Sequence, residues 1–184
     1  MRVIAVTGSA SGIGAAVCTR LEAAGARVIG VDRRDAEVIA DLGQPEGRAA
    51  AVAGVQAVSA GRLDGLVACA GVGPQAEPAS AIVSINYFGA RDVMTALRPT
   101  LAAGSRPAAV AVSSNSSTLP GADGPLAAAC LAGDEGEARR VALAEGGHPA
   151  YAGSKLALAR WVRRRLHRSS RRAQGRSEAR RRRC

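Results

Sequence analysis

Short apolar runs alternate with segments of helical periodicity in the first part of the chain. Val3–Val6 is an apolar run that ends in a cluster of glycine and serine, Ile13–Ala24 has apolar positions at helical spacing, and Val28–Val31 is a second apolar run. Short apolar runs bounded by turn residues are typical of buried strands. The three segments therefore predict one strand–helix–strand unit with parallel strands.

The same alternation continues as far as Val112. The predicted elements in this stretch are, in order, a short strand, a helix, a strand, a long helix and a strand, at Glu37–Ala40, Glu46–Ala60, Leu66–Cys69, Ile82–Ala103 and Ala108–Val112. Alternating strands and helices favour a parallel sheet that is covered on both faces. We therefore expect an α/β fold with a doubly wound parallel sheet of the Rossmann type.

Residues 116–149 interrupt this alternation. The segment is rich in glycine, alanine and proline around a charged stretch, Asp134–Arg140, and it predicts an insertion with one or two helices. Helical periodicity resumes at Tyr151 and extends to about residue 165, whereas residues 166–184 have many arginines and no apolar period. We expect one domain up to residue 165, followed by a disordered, arginine-rich tail.

The composition is that of a globular protein, with 47% apolar and 22% charged residues. The formal net charge of +10 comes from the end of the chain, because residues 163–184 contain eleven arginines and one acid, Glu178. Basic and acidic side chains balance over residues 1–162, so the body has no global positive field. We therefore expect no specific nucleic-acid partner.

The sequence shows no pattern typical of a membrane segment or a metal site. No uncharged apolar run approaches the roughly 18 residues of a spanning helix, and the N-terminus lacks the features of a signal peptide. The four cysteines form no CxxC pair, and the chain has only two histidines. These observations predict a soluble, cytoplasmic protein without a bound metal or membrane contact.

A glycine-rich turn, Thr7–Gly14, joins the first predicted strand to the first predicted helix. Gly8 permits a tight turn, Gly12 allows the backbone to approach a pyrophosphate, and Gly14 allows the helix to pack on the strand. The free N–H groups and the dipole of the helix N-terminus favour an anion there. The turn therefore predicts a dinucleotide-binding site.

An acid stands where such a site needs one. Asp32 ends the second predicted strand, 18 residues after Gly14. A carboxylate there accepts hydrogen bonds from the adenosine ribose and repels a 2′-phosphate, which favours NAD over NADP. Arg33 and Arg34 follow directly, and an arginine there can accommodate the phosphate, so NADP remains the alternative.

The chain resembles the short-chain dehydrogenase/reductase family from residue 1 to about residue 165. The family motif TGxxxGxG matches Thr7–Gly14, and Tyr151–Lys155 matches its YxxxK signature. Asp41-Leu42 matches the pair that meets the adenine ring, and Cys69-Ala70-Gly71 stands where the family has Asn-Asn-Ala-Gly. The cofactor contacts that follow are Gly8, Ser11, Gly12, Ile13, Gly14, Asp32, Asp41, Leu42, Ala70, Gly71, Tyr151 and Lys155.

The resemblance also implies the catalytic residues. Tyr151 and Lys155 lie one helical turn apart, so the ammonium can favour ionisation of the phenol and hold the nicotinamide ribose. Tyr151 would pass the proton, Ser114 would bind the substrate oxygen, and Asn86 would complete a proton relay through water. Taken singly, the tyrosine–lysine pair can be a solvated helix pair, Asn86 a helix cap and Ser114 a turn residue.

Within the family, the segments at 32–42, 69–75 and 84–90 resemble the bacterial 3α-hydroxysteroid dehydrogenase/carbonyl reductase group. The implied reaction is the reversible, NAD-linked oxidation of a secondary alcohol to a ketone, on a hydroxysteroid or a small carbonyl compound. A homo-oligomer is compatible with this interpretation.

The resemblance stops after the YxxxK helix. Family members continue there with further strands, whereas this chain has an arginine tail that looks like a frame-shifted reading of a GC-rich gene, with a basic nucleic-acid arm as the alternative. We therefore expect a truncated dehydrogenase, whose activity the truncation can abolish. The alternative function is a non-catalytic, nucleotide-binding remnant with a polyanion-binding tail.

Overall fold

A computed structural model describes the backbone of residues 1–181 and the side chains of residues 1–165. Over that range, five strands form one sheet in the order β3-β2-β1-β4-β5. The strands are β1 (Val3–Thr7), β2 (Arg27–Asp32), β3 (Val38–Ile39), β4 (Gly65–Ala68) and β5 (Ala108–Ala111). Every neighbouring pair is parallel, which confirms the doubly wound, Rossmann-type α/β fold.

Helices connect the strands and cover the sheet. Before β5 they are α1 (Gly12–Ala23), α2 (Pro45–Val58), α3 (Ala79–Val83), a π-helical segment (Ser84–Gly89), α4 (Ala90–Ala96) and α5 (Arg98–Ala102). After β5 they are a 3₁₀ turn (Asn115–Thr118), α6 (Pro125–Ala132), α7 (Glu135–Glu145) and α8 (Gly147–Arg181).

The side chains of β1 alternate between two apolar layers. Ile4 and Val6 pack on one face of the sheet, together with Val17 of α1. Ala5 packs on the other face, in a cluster that includes Ile29 of β2 and Leu66 of β4. Because both faces are covered, the strand is apolar at successive positions rather than at every second one.

The single long helix predicted over Ile82–Ala103 is wrong. The structure divides this stretch into α3, the π-helical segment, α4 and α5, with a break at Leu97. Pro99 lacks the N–H group that would continue the hydrogen-bond ladder across the break. The wider turn of the π-helical segment buries three consecutive side chains, Asn86, Tyr87 and Phe88, a pattern that a period of 3.6 does not predict.

The predicted insertion contains two helices, α6 and α7. Helix α6 packs against α8, and α7 packs against α3, which buries Leu126, Ala138 and Ala142. The charged stretch Asp134–Arg140 forms the start of α7, where the Asp134 carboxylate accepts a hydrogen bond from the Glu137 backbone N–H at 2.9 Å. The insertion therefore extends the core on one side of the sheet.

Helix α8 is 35 residues long and ends at Arg181, well beyond the residue 165 that the periodicity predicts. The disordered tail that the sequence predicts for residues 166–184 stays a prediction. The side chains of residues 166–181 and all of residues 182–184 lie outside the described part of the chain. Within the described part, no helix combines the length and the apolar character needed to cross a membrane.

Asp64 links β1 to the segments that precede β4 and β5, at the amino-terminal edge of the sheet. Its buried carboxylate accepts hydrogen bonds from the backbone N–H groups of Val3 at 3.0 Å and Ser105 at 2.7 Å. These two bonds, in that order of importance, hold the pKa of Asp64 below its ordinary value of 3.8. Because the folded state favours the ionised form, Asp64 stabilises the protein above the unfolded-state pKa, and this contribution disappears as the pH falls.

We expect Asp64→Asn to lower the unfolding temperature at neutral pH. In acid, the variant and the unmodified chain should unfold at the same temperature. The amide leaves one strand N–H without its charged acceptor, whereas acid protonates the native carboxylate and removes the same advantage. Thermal unfolding of both proteins between neutral pH and about pH 3 measures the difference. Asp123→Asn is the control, because that side chain is 67% exposed. A constant deficit across the pH range would contradict the role given to Asp64.

Candidate active site

A cleft of about 260 Å³ opens at the carboxyl ends of the strands, where doubly wound sheets bind their ligands. The cleft brings together residues from the glycine-rich turn, the end of β2, the segment after β3 and the segment after β4. Ten of the residues predicted to bind a cofactor line it: Gly8, Ser11, Gly12, Ile13, Gly14, Asp32, Asp41, Leu42, Ala70 and Gly71.

Two glycines in the turn are required by close backbone contacts. Gly8 has a φ of +72°, and a Cβ atom there would lie 2.8 Å from the Cα of Ala70. A Cβ atom on Gly14 would lie 1.9 Å from the carbonyl oxygen of Gly8. Gly12 has a φ of +54° and no neighbouring atom within 4 Å of its Cβ position. Gly12 therefore leaves open space on the cleft side, while Gly8 and Gly14 keep the turn, the sheet and α1 in contact.

The N-terminus of α1 is suited to an anionic group. Ser11 occupies the N-cap position but makes no side-chain cap hydrogen bond, and the first turn contains no acidic residue. The first backbone N–H groups of a helix lack intrahelical partners and carry a partial positive charge. Ile13 is 64% exposed beside them. A phosphate in the cleft would therefore meet free N–H donors and no competing carboxylate from this turn.

Asp32 and Arg33 both line the cleft at the end of β2. The Asp32 carboxylate accepts hydrogen bonds from the backbone N–H of Arg33 at 2.7 Å and of Ala10 at 3.1 Å. The second bond links β2 to the glycine-rich turn. These two bonds leave capacity on the carboxylate oxygens for a ligand hydroxyl.

Asp41 and Leu42 follow β3 and line the same cleft. Leu42 is buried, and the Asp41 carboxylate accepts a hydrogen bond from the Gly43 backbone N–H at 2.9 Å. A Cβ atom on Gly47, in the first turn of α2, would lie 1.9 Å from the carbonyl oxygen of Asp41. Close packing of α2 therefore fixes the position of this segment.

Lys155 reaches the cleft wall from α8. The residue is 5% exposed, and its Nζ donates a hydrogen bond to the Val112 carbonyl oxygen at 3.0 Å. The Nζ lies 3.3 Å from the Cβ position of Gly71 and 5.9 Å from the centroid of the Tyr151 ring. Burial lowers the pKa of Lys155, and nearby Cys69 partly offsets the effect. The ammonium therefore lies between the cleft wall and the Tyr151 ring.

Asn86 is fully buried in the π-helical segment and pins the chain after β4. Its Oδ1 accepts a hydrogen bond from the Val72 N–H at 2.8 Å, and its Nδ2 donates one to the Val72 carbonyl at 3.0 Å. Its Oδ1 also lies 3.0 Å from the Cβ position of Gly71. The amide thus positions one wall of the cleft. Its part in a proton relay stays a prediction.

Ser114 directly precedes the 3₁₀ turn after β5 and caps it. Its Oγ accepts hydrogen bonds from the Ser116 N–H at 3.2 Å and from the Ser116 hydroxyl at 3.0 Å. Among the described side chains, no hydrogen bond joins Ser114 to Tyr151. Lys155 and Asn86 therefore lie beside Gly71 at the cleft wall, and Tyr151 lies next to Lys155, but neither Tyr151 nor Lys155 lines the cleft itself. The Ser114 hydroxyl is engaged in its own turn. Its substrate contact stays a prediction.

The family model described as short chain dehydrogenase matches residues 2–143, which is most of the chain. The chain belongs to the short-chain dehydrogenase family. The predicted resemblance is thereby confirmed.

Three similar proteins show how far the similarity extends. The 3-alpha-hydroxysteroid dehydrogenase/carbonyl reductase of Comamonas testosteroni is 50% identical over 169 residues, covering 90% of this chain and 66% of that protein. The crystal structure of the 3-alpha-hydroxysteroid dehydrogenase from Pseudomonas sp. B-0831, complexed with NADH, has a TM-score of 0.90 and 47% identity, covering 93% of this chain and 68% of that one. Coniferyl-alcohol dehydrogenase from Pseudomonas sp. strain HR199 is 42% identical over 92 residues, covering 47% of this chain and 34% of that protein. The chain thus spans at most two thirds of these two curated relatives.

Sequence reasoning missed several residues that line the cleft of this short-chain dehydrogenase. They are Val31, Ala40, Val72 and Ile85. Cys69 also lines the cleft, and the resemblance marks it only as a motif position and not as a cofactor contact. Val31 and Ala40 stand at or just after the carboxyl ends of strands, a position that points to the ligand side of a parallel sheet. Ile85 lies in the π-helical segment, and no sequence signal places it there. Among the described residues, no cluster of metal-ligating side chains accompanies the cleft.

Proposed function

We propose that this chain binds NAD(H) and interconverts a secondary alcohol and a ketone, with a hydroxysteroid or a small carbonyl compound as the substrate. The observation that carries the proposal is the place of Lys155, the only lysine of the chain, between the Tyr151 ring and the cleft wall at Gly71. The lysine ammonium is compact, and its pKa shifts readily on burial, whereas an arginine guanidinium stays charged. The hydroxysteroid dehydrogenase/carbonyl reductase relative, at 50% identity, supports the substrate class.

The residues of the cleft fit a dinucleotide. The uncapped N-terminus of α1 would hold the pyrophosphate, and Asp32 would accept hydrogen bonds from the adenosine ribose. Asp41 and Leu42 would lie against the adenine, and Lys155 would hold the nicotinamide ribose. When bound, the nicotinamide supplies a hydride to a ketone or accepts one from an alcohol.

Tyr151 and Lys155 would manage the proton of the reaction. In the reductive direction, the Tyr151 hydroxyl gives its proton to the substrate oxygen as the carbonyl carbon gains the hydride, which yields an alcohol and leaves a phenolate. The Lys155 ammonium stabilises that phenolate by its charge, and solvent returns the proton. Atoms and charge balance, because one ketone, one hydride and one proton become one alcohol.

We expect the chain to bind NADH more tightly than NADPH, because the Asp32 carboxylate would repel the 2′-phosphate. Isothermal titration with both cofactors measures the preference. Asp32→Ala should reduce the preference, because it removes the charge. Asp123→Ala is the matched control, because this exposed carboxylate lies outside the cleft. Equal affinities in the unmodified protein would show that Asp32 does not select the cofactor.

A second candidate, nucleotide binding without turnover, is favoured by one observation. The Ser114 hydroxyl is held by its own turn and not by the active-site tyrosine. A single experiment separates the two functions: NADH oxidation is followed by absorbance with a small aromatic ketone and with a 3-ketosteroid. Turnover supports the dehydrogenase. Saturable NADH binding without turnover supports the second candidate, and absence of binding contradicts both.

A further inference from the structure

Arg48 is a buried arginine, and each of its three guanidinium nitrogens donates a hydrogen bond. It lies in the first turns of α2 and is 4% exposed. Both of its terminal nitrogens donate to the Glu135 carboxylate of α7, at 2.6 and 2.7 Å, and one of them also donates to Asp92 of α4 at 3.0 Å. This fork-to-carboxylate arrangement is directional and strong. One guanidinium therefore joins α2, α4 and the insertion.

The other hydrogen bonds of Arg48 reach the backbone of the cleft wall. Its Nε donates to the carbonyl oxygen of Leu42 at 2.9 Å, and a terminal nitrogen donates to that of Ser84 at 3.3 Å. Leu42 lines the cleft directly, and Ser84 precedes Ile85, which also lines it. Arg48 thus holds two backbone segments that carry cleft-lining side chains.

These two segments also pack closely against each other at two glycines. A Cβ atom on Gly43 would lie 3.2 Å from Cγ1 of Ile85, and one on Gly89 would lie 3.1 Å from Cβ of Leu42. The segment after β3 therefore rests on the π-helical segment with little spare space. A shift of either segment changes the width of the cleft beside Leu42.

The insertion supplies the charge that keeps Arg48 in place. Burial alone would raise the pKa of Glu135, but the hydrogen bonds and the charge of Arg48 bring it below its ordinary value. Glu135 is therefore ionised at neutral pH, where it neutralises Arg48 together with Asp92. Removing one carboxylate leaves a buried guanidinium only partly compensated, which favours its movement towards solvent.

We propose that Arg48, held by Glu135 of the insertion, is a positioning residue that sets the adenine side of the cofactor cleft. The proposal rests on the proposed function, in which Asp41 and Leu42 meet the adenine and Tyr151 and Lys155 serve the nicotinamide end. Weakening the Arg48–Glu135 pair reduces the affinity for the adenine half of the cofactor. The nicotinamide half and the chemical step remain as they were.

The test compares Glu135→Gln with Glu137→Gln. Both acids lie in the first turn of α7, but Glu137 pairs with the exposed Arg140 at the surface. Affinities for NADH, ADP-ribose and nicotinamide mononucleotide are measured by titration, well below the unfolding temperature of each variant. We expect Glu135→Gln to weaken NADH and ADP-ribose binding by the same factor, on the order of tenfold, with no change for nicotinamide mononucleotide. Glu137→Gln should leave all three affinities unchanged.

Asp92→Asn is the second variant, for the case that Glu135→Gln does not fold. It weakens a single hydrogen bond to Arg48 rather than a forked pair, and it also weakens the ion pair between Asp92 and Arg91. We expect the same selective loss of ADP-ribose affinity with a smaller factor. In turnover assays, the KM for NADH should rise while kcat stays constant. Unchanged ADP-ribose affinity in a folded variant, or equal losses for both halves of the cofactor, would overturn the proposal. Failure of the unmodified chain to bind NADH would instead overturn the proposed function on which it rests.

Discussion

We expect Tyr151→Phe to lower the proposed NADH-dependent ketone reduction by about 10²–10⁴-fold and to leave NADH affinity unchanged. The substitution removes only the hydroxyl, which is the proton donor of the proposed reaction. The ring remains on α8, and Lys155 keeps its hydrogen bond to the Val112 carbonyl. The loss should therefore appear in kcat, and NADH titration should give the same dissociation constant for both proteins.

The chain offers a matched control in its only other tyrosine. Tyr87 is 1% exposed, packs edge-on against Phe88, and has its pKa raised to about 12 by burial. Tyr87→Phe removes a hydroxyl of the same chemistry from a position in the core. It should leave kcat unchanged. If Tyr151→Phe retained the activity of the unmodified chain, a different group would be the proton donor.

The first βαβ unit could be predicted from the sequence because its signals are local. The apolar run of β1, the glycine-rich turn and the spacing of α1 each occupy a few consecutive residues, and the structure differs from the predicted bounds by one residue at most. The position of Asp32 follows from the same unit, since the carboxyl end of β2 lies beside the turn. Six of the ten cleft-lining predictions lie in this unit: Gly8, Ser11, Gly12, Ile13, Gly14 and Asp32.

Other features depend on contacts between distant parts of the chain. The break at Leu97 has a local signal in Pro99, but the π-helical turn around Asn86 depends on how three consecutive side chains are buried. Arg48 contacts Asp92 and Glu135, which are 44 and 87 residues away. No periodicity or motif predicts such a contact. The sequence therefore does not distinguish a buried arginine from an exposed one.

Among the candidate catalytic residues, some positions follow from local sequence spacing, whereas others depend on the contacts of the side chain. The four-residue spacing of Tyr151 and Lys155 fixes their common helix face, and the structure has them on one face of α8. The state of the Ser114 hydroxyl depends on the turn that follows it, where Ser116 donates two hydrogen bonds to its oxygen. A motif gives the residue type at a position but does not give the competing partners of its side chain.

The second large effect is expected from Gly14→Ala. The added Cβ would lie 1.9 Å from the carbonyl oxygen and 2.6 Å from the carbonyl carbon of Gly8, both of which are backbone atoms. The start of α1 or the turn must therefore move, and the N–H groups that would bind the pyrophosphate move with it. A displacement near 1 Å is enough to lower the catalytic efficiency on the order of 10²-fold. NADH titration, and kcat/KM with NADH as the varied substrate, measure the loss.

Two other glycines separate this steric effect from backbone strain. Gly12 and Gly25 have positive φ values, +54° and +80°, and no atom lies within 4 Å of either Cβ position. Alanine at either site costs roughly 1–2 kcal/mol of stability, which thermal unfolding measures. Gly25→Ala, at the far end of α1, should keep the NADH affinity of the unmodified chain, because it lies outside the cleft. If Gly14→Ala bound NADH as tightly as Gly25→Ala, the close contact between Gly14 and Gly8 would have no part in holding the cofactor.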